Sequence, residues 1–140
     1  MIPSMKTLLL GCSLLLLSGC AMTIKDFRDD NPATFLAQVP GQHVSMANCL
    51  MHRLEEVKYS TPDMFRITTE QNHTSLLISR VQPSGPFTLL LSPFAEVIIT
   101  ETQPKQVLVE SRNRSIIGAR DYIDSAKPFI GQCGQQSIAS

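Results

Sequence analysis

Phe65-Arg66-Ile67-Thr68-Thr69-Glu70, then Gln71-Asn72-His73, then Ser75-Leu76-Leu77-Ile78-Ser79-Arg80-Val81 is the stretch whose reading decides the fold. Phe65, Ile67 and Thr69 alternate with Arg66, Thr68 and Glu70, and a period of two belongs to a strand that buries one face. The polar triplet turns the chain, and the apolar run after it reads as a second strand, so the pair predicts an antiparallel hairpin.

The same pattern continues downstream. Pro83-Ser84-Gly85-Pro86 is the strongest turn signal in the chain, because proline and glycine disfavour continued regular structure. Phe87 to Leu91 reads as a short strand, Ser92-Pro93 as a break, Phe94 to Glu101 as a longer strand, and Gln106 to Arg112 as the last one after the turn Thr102-Gln103-Pro104-Lys105. Proline cannot donate to a sheet ladder, so Pro93 marks a bulge, an edge or a strand end. Leu89-Leu90-Leu91 and Val97-Ile98-Ile99 are apolar on both strand faces. Either both faces are covered or one is an interaction surface.

Two helical patterns flank these strands. From His43 to Lys58, Val44, Ala47, Leu50, Met51, Leu54 and Val57 recur at intervals of three and four, opposite Asn48, His52, Arg53, Glu55 and Glu56; that spacing defines an amphipathic helix. Pro62 stops it, since the residue before a proline is pushed out of helical geometry. After Asn113, Ile116, Ala119, Ile123 and Ala126 share a second helical face that ends or kinks at Pro128. Helix, antiparallel strands and helix predict an α+β fold: an antiparallel sheet of four or five strands with an N-terminal and a C-terminal helix packed on one face.

The chain begins differently. Lys6 precedes the apolar run from Leu8 to Leu17, and Leu17-Ser18-Gly19-Cys20 closes it. A run of that length is shorter than the roughly 20 residues a membrane-spanning helix needs, and it fits the apolar region of an export signal. These residues resemble the lipobox of bacterial lipoprotein signal peptides, in which a branched apolar residue and two small ones precede an obligatory cysteine. The chain is similar in size and pattern to short proteobacterial lipoproteins of unassigned function. The resemblance implies diacylglyceryl transfer to the Cys20 sulfur, cleavage after Gly19 and acylation of the new amino terminus, hence membrane attachment through acyl chains on Cys20. Two or more acyl chains anchor stably where one does not. Ala21 follows the cysteine, where an aspartate would favour inner-membrane retention, so the expected address is the outer membrane, facing the periplasm.

On that reading Cys12 leaves with the signal and Cys20 is lipidated, which leaves Cys49 and Cys133 in an oxidising compartment, where a disulfide between them is expected. The expected organisation is a signal at 1–19, a lipidated N-terminus and tether at 20–42, an α+β domain at 43–133 and a frayed tail at 134–140. The tether assignment rests on Asp29, Asp30, Asn31, Pro32 and Pro40, which oppose a long regular element.

Twelve Lys and Arg balance twelve Asp and Glu, so no nucleic-acid partner is expected, as that requires a concentrated basic surface. His52 lies three residues from Glu55 and four from Glu56 on the first helical pattern, but a metal site requires further ligands, and no metal or cofactor is expected. Gly-x-Ser-x-Gly, Ser-x-x-Lys and phosphate-cradling glycine loops do not occur after Cys20, so no enzyme is expected. Arg112, Arg114 and Arg120 form the one basic concentration and are candidate contacts for a partner. The expected function is a non-catalytic binding or scaffolding role with an envelope protein partner. The alternative is a module that binds a lipid or inhibits a hydrolase.

Overall fold

In the computed structural model, residues 23–57, 63–83, 85–115 and 119–139 are described. The lipobox at 17–20 lies outside them. Among the described residues ten elements follow one another: α1 (Ile24–Asp30), β1 (Thr34–Pro40), α2 (His43–Glu55), β2 (Asp63–Thr69), β3 (His73–Pro83), β4 (Leu89–Gln103), β5 (Gln106–Asn113), α3 (Ala119–Ala126), a 3-10 turn (Lys127–Phe129) and α4 (Ile130–Ile138). The strands form a single five-stranded sheet in the order β1-β5-β4-β3-β2, and every neighbouring pair is antiparallel. The fold is α+β.

β2 to β5 form a meander, as the alternating pattern requires. The Phe65 hairpin pairs Thr69 with Thr74 and Phe65 with Ile78, and its turn is closed by the Glu70 N–H donating to the His73 carbonyl at 2.8 Å. On β3 and β4, Leu76, Ile78, Val97 and Ile99 point into one core with Val107 and Val109 of β5. α2 covers that core with Met46, Ala47, Leu50 and Leu54, and α3 adds Tyr122, Ile123 and Ala126. Tyr122 packs edge-on against Phe65, with ring centroids 5.6 Å apart, and donates its hydroxyl to Asp63 Oδ2 at 2.6 Å. An aromatic with a satisfied polar tip binds β2 to the helical layer.

Three expectations are corrected. The segment read as a tether contains a helix and a strand: β1 pairs with β5 from Thr34 opposite Ser111 to Pro40 opposite Gln106. Pro32 and Pro40 are accommodated because one precedes the strand and the other ends it at the sheet edge, where a missing N–H costs no ladder bond. The fifth strand is therefore β1. Leu89–Leu91 belong to β4, which runs through Pro93 by means of a bulge: Ile78 faces Ala95 while Ser79 faces Pro93, and Phe94 is the extra residue. A bulge absorbs a proline by leaving the disrupted ladder position unpaired.

The third correction concerns the C-terminus. Residues 134–138 continue α4 rather than fraying, and Gly134 and Ser137 are buried. Gly134 lies so close to β1 that a Cβ there would stand 2.3 Å from the Pro40 carbonyl oxygen; only glycine permits that approach. Ser137 Oγ accepts from the Gln42 N–H at 2.8 Å and donates to the Gly134 carbonyl at 2.6 Å. Cys49 of α2 is bonded to Cys133 of α4, across a sequence separation of 84. The bridge joins the helix that follows β1 to the one packed on its end.

Gly134→Ala is expected to lower stability by about 2 kcal/mol through overpacking. Gly131→Ala, where a Cβ meets nothing within 4 Å, should be neutral or stabilising by up to about 1 kcal/mol. Urea denaturation of both variants checks the pair. Replacing both Cys49 and Cys133 by alanine should cost up to about 4–5 kcal/mol, the chain-entropy value for a loop of this length, read as a shift in denaturation midpoint that reductant reproduces in the parent.

Candidate functional site

Alternation along the strands directs a second set of residues away from α2 and α3. Ser75 and Leu77 of β3 face Ile98 and Glu96 of β4, and Glu96 faces Arg112 of β5. Glu96 is 1% exposed, and a buried carboxylate requires compensating charge and hydrogen bonds. α1 supplies them. Arg28 Nη2 donates to Glu96 Oε1 at 2.6 Å and Arg28 Nε to Oε2 at 3.2 Å, a two-point contact that matches the guanidinium fork to the carboxylate. Ser75 donates its hydroxyl to Oε1, and Arg112 Nε stands 3.4 Å from Oε2 as an ion pair. The Arg28 guanidinium is held above its ordinary pKa chiefly by the hydrogen bond to Glu96, against the opposing effect of burial.

The same arginine of β5 also fixes the end of α1. Arg112 Nη1 donates to the carbonyls of Arg28 at 3.3 Å and Asn31 at 3.1 Å, satisfying backbone acceptors that a helix end leaves open. At the other end Thr23 Oγ1 accepts from the Asp26 N–H at 3.1 Å, an N-cap. Phe27 is fully buried yet stands outside the main core cluster, so α1 contributes a small second core on the outer face. The cluster of Arg28, Glu96 and Arg112 borders a cavity of about 200 Å³ that also touches Glu70 and His73. Its groups are committed to one another, which makes it a clamp for α1 rather than a poised acid or base.

Two larger recesses flank the clamp. An apolar groove of about 520 Å³ runs between the start of α1 and β2, β3 and β4, lined by Ile24, Met64, Leu77, Leu91 and Pro93 with Thr23 and Arg66 at its sides. On the far side of the sheet, a cleft of about 480 Å³ lies beside β1, lined by Thr34, Leu36, Ser111, Asn113, Arg114, Asp124 and Lys127. β1 is an edge strand, and its Phe35 is 62% exposed.

The residues singled out from the sequence are thus dispersed. Arg112 turns onto Glu96 and α1, whereas Arg114 borders the cleft and donates to Ser92 Oγ at 3.1 Å. Arg120 belongs to α3, and its side chain lies outside the described residues. His52 and Glu55 form an exposed pair 3.7 Å apart. Among the described residues no three His, Cys, Asp or Glu side chains are grouped to hold a metal, and no helix is long and apolar enough to cross a membrane. Sequence reasoning missed Glu96 and Arg28. The available signal was a single charge inside Phe94-Ala95-Glu96-Val97-Ile98-Ile99, since a carboxylate within an apolar strand must find a cation.

Glu96→Ala is expected to destabilise by about 3 kcal/mol, because it strands two cations against the sheet. Arg28→Ala should cost only about 1–2 kcal/mol, since the Arg28 side chain is 44% exposed and Arg112 still neutralises the carboxylate. Equal losses on denaturant titration would contradict the part assigned to Arg112. No protein-family model, curated protein or solved structure matches the chain.

Proposed function

We propose that this chain is a non-catalytic binding or scaffolding lipoprotein, held in the outer membrane by acyl chains on Cys20, facing the periplasm and acting through a protein partner of the cell envelope. The observation that carries the partner reading is the cleft beside β1. An edge strand whose Thr34 and Leu36 line a recess of about 480 Å³ together with Arg114 and Lys127 offers main-chain pairing and charge in one place. The Cys49–Cys133 bridge supports residence in an oxidising compartment.

A second reading has its own support. The apolar groove of about 520 Å³ falls within the range of small-ligand sites, roughly 300–1,000 Å³, and suits a lipid chain.

A photo-crosslinking residue at position 34, which is exposed and lines the cleft, distinguishes the two in intact cells. The expected result is one reproducible heteromeric adduct whose yield falls several-fold with Arg114→Glu. A monomer that forms no adduct and copurifies with lipid would overturn the partner reading in favour of the ligand module. Arg112 is unsuitable for the same charge reversal, because it holds α1.

A further inference from the structure

Among the described residues, four of the five exposed large hydrophobic side chains have no role in the clamp or the cleft. Phe87 is 98% exposed, Leu89 71%, Met64 50% and Leu91 48%. They converge on the end of the sheet where β3 passes into β4: Leu89 faces Pro83, Leu91 faces Val81, and Leu91 and Met64 together line the apolar groove. Between Arg80 and Glu96 the chain carries no charged residue. The β3–β4 connection itself can therefore lose water without desolvating a charge, a step that would oppose burial.

The described chain begins at the same place. Thr23 and Ile24 form the other wall of the groove, and only Ala21 and Met22 separate Thr23 from Cys20. At a maximum of about 3.6 Å per residue, the Cys20 backbone stands within about 11 Å of Thr23. Acyl chains on Cys20 would enter a bilayer at that distance from the groove mouth. The clamp prevents α1 from swinging free to lengthen the connection.

We propose that the β3–β4 end of the domain, led by Phe87 and Leu89, inserts into the interfacial layer of the bilayer that holds the lipid anchor, so that the sheet stands on the membrane instead of hanging from a tether. This rests on lipidation of Cys20. Phe87, Leu89 and Leu91 supply apolar insertion, and the exposed Arg66 beside the groove faces lipid phosphates. The cleft beside β1 stays clear of the membrane for a partner.

The chain contains no tryptophan, so a single one is a clean reporter. Full-length lipidated protein with Phe87→Trp, reconstituted into phosphatidylethanolamine–phosphatidylglycerol vesicles with brominated acyl chains, should show blue-shifted emission and at least twofold quenching. Gln103→Trp, at the opposite end of β4, should show neither. Acyl labelling of the same protein and of Cys20→Ala is measured in parallel. Labelled Cys20 with Phe87→Trp unquenched overturns the docking while lipidation stands. A blue shift without quenching means that a protein or the chain's own acyl groups cover the site, and also overturns it. Absence of acyl label on Cys20 overturns both lipidation and the docking built on it.

Discussion

A carboxylate removed from water has to be neutralised where it stands, and Glu96 imposes that requirement on the middle of the sheet. Its position on β4 is 1% exposed because α1 lies across it, and α1 lies across it because Arg28 and Arg112 meet that charge. Burial and neutralisation are thus mutually dependent. The consequence is a sheet with a cover on each face: the helices α2, α3 and α4 on one side and a single short helix on the other. A seven-residue helix is too short to persist alone in water, so α1 owes its existence to Phe27, the arginine contacts and its caps.

The helical layer is secured differently. Here the constraint is steric and covalent: Gly134 lets α4 touch the Pro40 carbonyl, and the bridge from Cys49 to Cys133 holds α2 to α4. β1 is caught between these devices, bonded to β5 along its length and pressed at its end by α4. One face of the molecule is held by charge and the other by packing and sulfur.

Much of this architecture is legible in the residues. The period of two from Phe65 to Arg112 and the three-and-four spacing from Val44 to Leu54 are local signals, and the sheet and the first long helix follow from them. β1 was hidden because an edge strand bounded by Pro32 and Pro40 has the composition of a loop; only pairing with β5, far along the chain, makes it a strand. α4 was hidden for a related reason. Gly131, Gly134 and a polar tail argue against a helix, and the close approach to Pro40 that rewards Gly134 is a tertiary fact. The clamp was half visible: Glu96 announces a missing cation, but nothing in the sequence points to Arg28, whose distance in sequence from Glu96 exceeds the reach of any local rule.

The pairing of β1 with β5 also orders events in time. In a chain made from its N-terminus, β1 emerges first among the strands and finds its partner only when Asn113 has followed. Contacts of long sequence separation form late, because the loop between them must close first. In that interval Phe35-Leu36-Ala37-Gln38-Val39 remains an unpaired apolar strand, the kind of segment that aggregates or is held by chaperones. The first strand of the sheet to be synthesised is the last to be built in.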